Sequence, residues 1–355
     1  MVCPRPSPKE MKRILWSCMV ILLVSIIYVG LGARCPWKSS TKSGSSAPTT
    51  SAWTTKAPMP TARASLAIGV VNNPSNGTSK IYAIAGWGEC TINEEYDPVS
   101  DSWRSRAYMP TGRANPAIGV VNNPSDGTSK IYVIGGLGYD HNIGGPAYIT
   151  PNEEYDPVSD TWTTKANLPT KRSGFAWGVV NNKIYIIGGG SIGTLNEEYD
   201  PASDTWTTKS PMPTARYGLA IGVVNNKIYA IGGADSNDNV LNTNEEYNPI
   251  SDTWTTKSPM PTARGSIGIG VVNNPSDGTS KIYAIGGSIN VGDAVTTIEV
   301  YDPASDIWTT KAPMPAKRAL SAIGVVNNKI YIIGGYSVTE GVGSDSALNE
   351  EYSPE

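Results

Sequence analysis

Histidine, cysteine and phenylalanine are all scarce in this chain. Among 355 residues there are one histidine, His141, four cysteines and one phenylalanine. Only Cys90 lies beyond residue 35, so the chain after that point can hold neither a disulfide framework nor a zinc site built from cysteines. Because His141 is the single histidine, a metal centre with several histidine ligands, such as a copper centre, is also excluded.

The chain after residue 42 shows no helical periodicity of apolar residues. It also has few basic residues, with 21 lysines and arginines against 30 aspartates and glutamates. An acidic body lacks the electrostatic footprint of a nucleic-acid-binding protein, so no nucleic-acid partner is predicted. With 37 glycines and 27 prolines, the composition indicates many short strands joined by turns.

The one long apolar run lies near the N-terminus. Residues 14–32 form a stretch of 19 residues without a charge, about long enough to cross a membrane as a helix. We predict a signal anchor here, after a basic segment over 1–13 and before a Ser/Thr-rich stalk over 33–52. Flanking positive charge favours an extracytoplasmic position for the rest of the chain. A cleaved signal peptide remains the alternative, and the chain would then be secreted.

A unit with one tryptophan recurs after residue 52 at intervals of about 44 to 59 residues. Such a period is typical of stacked or circular arrays of supersecondary units. The tryptophans are Trp53, Trp103, Trp162, Trp206, Trp254 and Trp308.

Each unit predicts four short strands, as the copy after Arg216 illustrates. Strand one, over 219–224, alternates large and small side chains, and its small face suits strands that converge on an axis. A tight Asn-Asn turn leads to strand two, over 228–231, which is apolar on both faces and ends in two glycines. Strand three carries Glu-Glu-Tyr, and strand four carries the tryptophan.

The series Arg, Ile-Tyr-x-Ile-Gly-Gly, Glu-x-Tyr-Asp-Pro, Trp, Met-Pro closely resembles the kelch repeat. It recurs six times and covers about residues 53–355. The resemblance implies an all-β fold, a six-bladed propeller with four antiparallel strands per blade. One departure from the double glycine, at Ala85-Gly86, indicates that the first glycine is the dispensable one.

The ends of the array predict how the ring closes. The first repeated element is a lone fourth strand at Trp53, and the last unit stops after Tyr352 without a tryptophan. We therefore expect the Trp53 strand to complete the blade that begins at Arg318, which removes an unpaired edge.

Function is predicted on the loops that follow strand two, because these loops differ in length and sequence while the rest of the unit is nearly constant. We call their common side the loop face. The loops cover 87–92, 137–151, 190–195, 234–243, 288–297 and 336–348. The candidate binding residues in them are Trp87, Tyr139, Asp140, His141, Tyr148, Asp235, Asp238, Asp293, Tyr336, Glu340 and Asp345.

Two candidates come from strand one of the third unit, where Phe175 and Trp177 replace aliphatic residues. They are predicted either to face a ligand in the central channel or to fill a wider core. The arginine that opens each unit is predicted to serve the blade, by pairing with strand-three glutamates. Asp235-x-Asn237-x-Asn239 is similar to the start of a calcium loop, but Val240 stands where that loop needs glycine. We predict no metal or cofactor.

Three functions are consistent with these observations. The first is an exported, membrane-tethered and monomeric interaction module that binds a protein or a glycan through the loop face. The second is a metal-free carbohydrate-active enzyme, because some bacterial kelch propellers isomerise sugars such as sialic acid; loop carboxylates would supply the acid and base. The third is a cytoplasmic adaptor, which requires residues 14–32 to have another role. No catalytic set is legible in the sequence.

Overall fold

The structure, a computed structural model, describes residues 52–354 except 74–76, 88–89, 123–126, 141–144, 191–192, 275–277, 291–292 and 340–341. These described residues contain strands and turns and no helix. No membrane-spanning helix is therefore found among them. The predicted basic segment, the signal anchor over 14–32 and nearly all of the stalk lie outside the described residues.

Six sheets of four antiparallel strands, which we call blades 1–6, contain most of the strands. Strands are numbered in chain order, and β1 covers Trp53–Lys56. Blade 1 consists of β2 (Ala67–Asn72), β3 (Ser79–Ile84), β4 (Asn93–Asp97) and β5 (Ser102–Ser105). Between blades 1 and 2 lies the short strand β6 (Arg113–Ala114). Blade 2 consists of β7 (Ala117–Asn122), β8 (Ser129–Ile134), β11 (Asn152–Asp156) and β12 (Thr161–Lys165), and its loop carries β9 (Leu137–Asp140) and β10 (Gly145–Tyr148).

The remaining blades repeat this order. Blade 3 consists of β13 (Ala176–Val180), β14 (Lys183–Ile187), β15 (Asn196–Asp200) and β16 (Thr205–Thr208). Blade 4 consists of β17 (Ala220–Val224), β18 (Lys227–Ile231), β19 (Asn244–Asn248) and β20 (Thr253–Lys257). Blade 5 consists of β21 (Gly268–Asn273), β22 (Ser280–Ile285), β23 (Ile298–Asp302) and β24 (Ile307–Lys311). Blade 6 consists of β25 (Ala322–Val326), β26 (Lys329–Ile333), β29 (Asn349–Tyr352) and β1, and its loop carries β27 (Tyr336–Thr339) and β28 (Val342–Asp345).

The innermost strand of every blade packs against the innermost strands of two other blades. The contacts run from β2 to β7, β13, β17, β21 and β25, and from β25 back to β2. The six inner strands therefore surround a common axis. In blade 6 the outer strand comes from the start of the described chain, because β1 pairs with β29 in a register that places Trp53 opposite Tyr352.

Tight turns join strands one and two where the sequence predicts them. In blade 4, Asn225 and Asn226 both have positive φ, 51° and 59°, which is the backbone of a two-residue hairpin turn whose twist matches that of the strands. Asparagine tolerates this left-handed conformation better than most residues. Strand two, which follows, is buried almost throughout, as its two apolar faces predict.

The small face of strand one points between blades and not toward the axis, which differs from the expectation from the sequence. A Cβ added at Gly119 would lie 2.5 Å from Ile184 of blade 3, and one at Gly222 would lie 2.9 Å from Ile282 of blade 5. Glycine is needed here because strand two of the next blade packs directly against this strand. The larger residues on the opposite face, such as Ile68 and Ile221, are half-buried and face the channel.

The core lies between neighbouring blades. One cluster, for example, combines Tyr229 and Ile231 of blade 4 with Ile282, Ala284 and Tyr301 of blade 5. Each blade therefore buries both of its faces only when it has a neighbour on each side, as expected of a repeat architecture.

The arginine that opens each unit is buried and paired with the first glutamate of strand three, as predicted. Arg216 lies 2.6 Å from Glu245 and also donates to the carbonyl oxygens of Gly232 and Thr243, at 2.9 and 3.0 Å. Burial lowers the pKa of Arg216, and the charge of Glu245 counteracts this effect. The other pairs are Arg63–Glu94, Arg113–Glu153, Arg172–Glu197, Arg264–Glu299 and Arg318–Glu350. These arginines hold strand one to strand three within a blade.

In blades 1–5 the tryptophan and a turn aspartate fasten the blade to the preceding one. In blade 4, the indole Nε1 of Trp254 donates to the carbonyl oxygen of Ser210, at 2.9 Å, and Asp252 accepts from the N–H of the same serine, also at 2.9 Å. Asp252 further accepts from the hydroxyl of Tyr247, at 2.6 Å. We call this arrangement the latch. The same latch joins Ala57 to blade 1, Ala107 to blade 2, Ala166 to blade 3 and Ser258 to blade 5.

Candidate functional site

The loops after strand two and the segments leading into strand one lie together on one side of the blades, as the sequence predicts. Backbone bridges join Tyr217 to Ala234, Gly265 to Ser288 and Ala319 to Tyr336. In blade 2 the short strand β6 pairs with β9 in the same way. The loops of blades 2, 4, 5 and 6 are therefore tied at their bases to the rim of the channel.

An open ring of backbone hydrogen bonds lies around the channel on this side. The N–H groups of Asn115, Gly218 and Ser266 donate to the carbonyl oxygens of Ser65, Gly174 and Gly218, at 2.9, 2.7 and 2.8 Å. Leu320 and Ser65 continue the ring, since Leu320 donates to Ser266 at 3.3 Å and Ser65 donates to Leu320 at 3.2 Å. All six residues have φ between 49° and 70°. The left-handed backbone turns their peptide groups toward the neighbouring blade.

Below this ring, the end of the channel nearest the loop face contains a cavity of about 170 Å³. Ile68, Ile221, Ile269 and Ile323 line it from four blades, and Trp177 lines it from a fifth. Blade 2 contributes no lining residue, because Trp177 also packs into the cluster that contains Ile118. The remaining lining residues are Leu66, Ala176, Leu219, Ala220, Ile267, Gly268, Ser321 and Ala322.

The two aromatic candidates of blade 3 have different surroundings. Phe175 is 4% exposed and packs with Leu168, Ile186 and Tyr199, and its ring lies 5.8 Å from the guanidinium carbon of Arg172. Trp177 is half-buried and borders the cavity. Phe175 is thus a core residue, and Trp177 alone is placed where a ligand in the channel would touch it.

The carboxylates of the blade 4 loop are held by neutral donors. Asp238 accepts a short hydrogen bond from the hydroxyl of Tyr217. Asp235 accepts from the backbone N–H groups of Asn237 and Asn239, at 2.9 and 3.0 Å, and from the Asn239 side-chain amide, at 3.0 Å. The hydrogen bonds from Asn239 hold the pKa of Asp235 below its usual value, so this group stays anionic at neutral pH.

This arrangement is an Asx-type turn and not a calcium loop. The oxygens of Asp235 point to donors of its own turn, where a calcium ion would need them as ligands. Among the described residues, no group of three or more His, Cys, Asp or Glu side chains could hold a metal ion.

The remaining predicted residues are spread around the loop face. Tyr139 is exposed, with 38% of its surface accessible, and Asp293 is exposed as well. Trp87, Tyr148, Tyr336 and Asp345 are half-buried. Asp140 ends β9, and its side chain is not described, while His141 and Glu340 lie outside the described residues.

Ser321 is a lining residue that reasoning from the sequence missed. It stands where the other blades have Leu66, Pro116, Phe175, Leu219 and Ile267. Its Oγ is buried without a hydrogen-bond partner. The sequence could have indicated this residue, because Ser321 is polar where the equivalent positions of the other five units are apolar.

Comparisons with known proteins agree with the repeat pattern. Residues 127–335, more than half of the chain, match the family model described as the KLHDC2/KLHL20/DRC7 Kelch-repeats domain. Kelch-like protein 26 of Danio rerio is 39% identical over 61 residues, which are 16% of this chain and 10% of that protein. Alpha-scruin of Limulus polyphemus is 35% identical over 60 residues, which are 17% of this chain and 6% of that protein. The chain thus spans only about a tenth of the length of the curated relatives that it matches.

A solved structure extends the likeness to the fold of nearly the whole described chain. The structure titled "Structure of YjhT" superposes with a TM-score of 0.68 at 16% identity, over 82% of this chain and 95% of that one. At this identity the likeness shows the fold alone. The recurring arginine, double glycine and tryptophan, the six four-stranded blades and the family match together show that the chain belongs to the kelch-repeat family.

Proposed function

We propose that this kelch propeller is an interaction module that binds a protein or a glycan through its loop face. The observation that carries the proposal is a separation of roles. The repeated charged residues pair inside the blades, whereas the six loops differ in sequence and range from 6 to 15 residues in length. A rigid frame with unequal loops on one surface is the usual arrangement of a binding scaffold.

The proposal includes the predicted location of the propeller. Residues 14–32 would anchor the chain in a membrane, and residues 33–52 would act as a flexible stalk that holds the propeller outside the cytoplasm. The support is the uncharged run and the composition of the stalk. Pairing of β1 with β29 supports a closed ring immediately after that stalk.

Binding can be tested with the full chain, solubilised in detergent, on an array of glycans and peptides. We expect at least one class of ligand to bind, and we expect exchange of the blade 4 loop, residues 234–243, for the short blade 3 loop, residues 190–195, to abolish or alter that binding. The same loop exchange should leave the melting temperature nearly unchanged. Binding that survives every loop exchange would contradict the proposal.

Location can be tested by protease treatment of intact cells that carry an epitope at the C-terminus. Cleavage of the propeller in intact cells, with the N-terminus protected, is the expected result. Protection of the propeller until the membrane is broken would place it in the cytoplasm and would remove this part of the proposal.

A further inference from the structure

The channel cavity and the charge of the loops together suggest a more specific ligand. We infer that the loop face binds a basic peptide segment, and that one aliphatic or aromatic side chain of this segment enters the channel cavity. The inference rests on the proposed binding function, and it specifies the chemistry of the partner.

The cavity has the size and lining for one apolar side chain. Its volume is about 170 Å³, and the side chains that line it are mostly isoleucine, leucine, alanine and the indole of Trp177, with Ser321 and backbone polar groups between them. A cavity of about 150 Å³ can take up a benzene-sized group. All lining residues belong to the first half of strand one or to the segment before it, so the cavity lies at the loop-face end of the channel.

Ser321 lines the cavity from blade 6 with a smaller side chain than its counterparts in other blades. In blades 1, 4 and 5 the same position is Leu66, Leu219 or Ile267, and each of these side chains lines the cavity. Serine is shorter by two or more carbon atoms, so it leaves space that a leucine from a partner could fill. Filling it would remove apolar surface from water, at roughly 25 cal/mol per Å².

The loop sequences carry negative charge only. The six loops contain no lysine or arginine, and the acidic side chains in them that the structure describes are Asp235, Asp238, Asp293 and Asp345. In the blades, by contrast, basic side chains pair with acidic ones, as Lys227 does with Glu246 at 2.6 Å. Lys171 and Lys317, both exposed, precede the strand-one arginines and are too few to balance the loops.

The acidic loops lie close to the cavity along the chain. Tyr217, whose hydroxyl binds Asp238, is two residues from Leu219 of the cavity wall. Two residues span at most about 7 Å, which is within the reach of one peptide ligand. Asp235 follows Ala234, which pairs with Tyr217 at the rim. A ligand with an apolar side chain in the cavity would therefore place flanking lysines or arginines near these carboxylates.

The test uses a fluorescein-labelled peptide, Gly-Lys-Lys-Leu-Lys-Lys-Gly, and the full chain in detergent, with fluorescence anisotropy as the readout. Two matched peptides replace leucine by serine or all four lysines by glutamate. We expect each replacement to weaken binding at least tenfold. We also expect affinity for the lysine peptide to fall severalfold between 50 and 300 mM salt.

Variants of the protein test each half of the site. Ser321→Leu restores the residue of the sister blades and fills the cavity, so binding should weaken at least tenfold while the melting temperature stays equal or rises. Ser321→Ala leaves the cavity open and should bind like the unchanged protein. Asp235→Asn with Asp238→Asn should weaken binding about tenfold. Asp302→Asn, a matched change in a turn between strands three and four where blade 4 has Asn248, should have no effect.

The outcomes separate this inference from the proposed function. Full binding by Ser321→Leu, or equal binding of the lysine and glutamate peptides, overturns the inference. If the array instead yields a glycan or an acidic peptide whose binding depends on the loops, the inference falls and the proposed function stands. If no ligand of any class binds, the proposed function fails and the inference fails with it.

Discussion

Ala85 adopts a backbone conformation that the other five blades give to glycine. Its φ is 65°, and the corresponding Gly135, Gly188, Gly232, Gly286 and Gly334 have φ between 58° and 73°. A residue with a Cβ is strained in this left-handed region by roughly 1–2 kcal/mol. The first glycine of the pair can therefore be replaced, as the sequence indicates, but the replacement has a cost in stability.

We expect Ala85→Gly to raise the free energy of unfolding by about 0.5–1 kcal/mol, because relief of strain outweighs the added freedom of glycine in the unfolded chain. The reverse change, Gly232→Ala, should lower it by at least about 2 kcal/mol, since its Cβ would lie 2.4 Å from the carbonyl oxygen of Arg264. Urea titration measures both. Loss of stability in Ala85→Gly would contradict the assignment of strain.

The buried Arg216–Glu245 pair gives a second prediction for single residues. Arg216→Met or Glu245→Leu should each lower the free energy of unfolding by about 3–5 kcal/mol, because each leaves a buried partner uncompensated. The double change Arg216→Met with Glu245→Leu should lose much less than the sum. A double-mutant cycle measures this coupling.

Arg104 is the matched control for that cycle. It pairs with Glu95, but its side chain is 59% exposed, so Arg104→Ala should cost less than about 1 kcal/mol. Equal losses at Arg104 and Arg216 would mean that burial does not determine the contribution of these pairs.

Among the elements, the latch couples each of blades 1–5 to the preceding one through one carboxylate. Burial tends to raise the pKa of Asp252, but hydrogen bonds from Tyr247 and from the N–H of Ser210 outweigh it and hold the pKa below its usual value. The pKa values of Asp101, Asp160, Asp204 and Asp306 are lowered for the same reasons. Acid should therefore weaken the contacts between blades.

The sign of the pH dependence follows from these lowered pKa values. The unfolded chain binds protons to these aspartates at about pH 4, where the native state does not. The stabilisation is fully present above that pH and is lost as the pH falls through the lower native values. We expect Asp252→Asn to reduce the slope of unfolding free energy against pH by up to about 1.4 kcal/mol per pH unit below pH 4. Chemical unfolding at pH 2.5 to 6 measures it, and an unchanged slope would contradict the role of Asp252.

For the whole molecule, the pairing of β1 with β29 determines whether blade 6 has a free edge. The rings of Trp53 and Tyr352 lie 4.8 Å apart, and Lys56 lies 3.8 Å from Glu351. A chain that begins at residue 57 would lack these contacts and would expose the edge of β29. Such edges promote association with other chains.

We expect a chain that begins at residue 57 to melt at a lower temperature than one that begins at residue 52, and to associate as its concentration rises. Light scattering after size-exclusion chromatography and thermal unfolding followed by circular dichroism test this. If both chains remain monomeric and equally stable, β1 does not close the ring.

The architecture of the blades could be predicted from the sequence because each of its features occurs in several copies. The strands, the Asn-Asn turns and the pairing of Arg216 with a strand-three glutamate could all be inferred from recurrence. The direction of the small face was inferred wrongly, because alternation shows that two faces differ but not which one meets a neighbouring blade. The space beside Ser321 and the positions of the loop residues depend on single departures from the pattern, which recurrence cannot explain.

The latch described for Ser210 and Trp254 also has a consequence for how such a chain can change its length. The two hydrogen bonds made by Ser210 in it join one unit to the unit directly before it, and the partner on the earlier side is a backbone group. Unequal crossing-over between two of the near-identical copies would remove or add one complete unit and leave every remaining junction intact. The number of blades among the descendants of such a gene would then be limited by the width of the channel, because the contacts between neighbouring units would be kept.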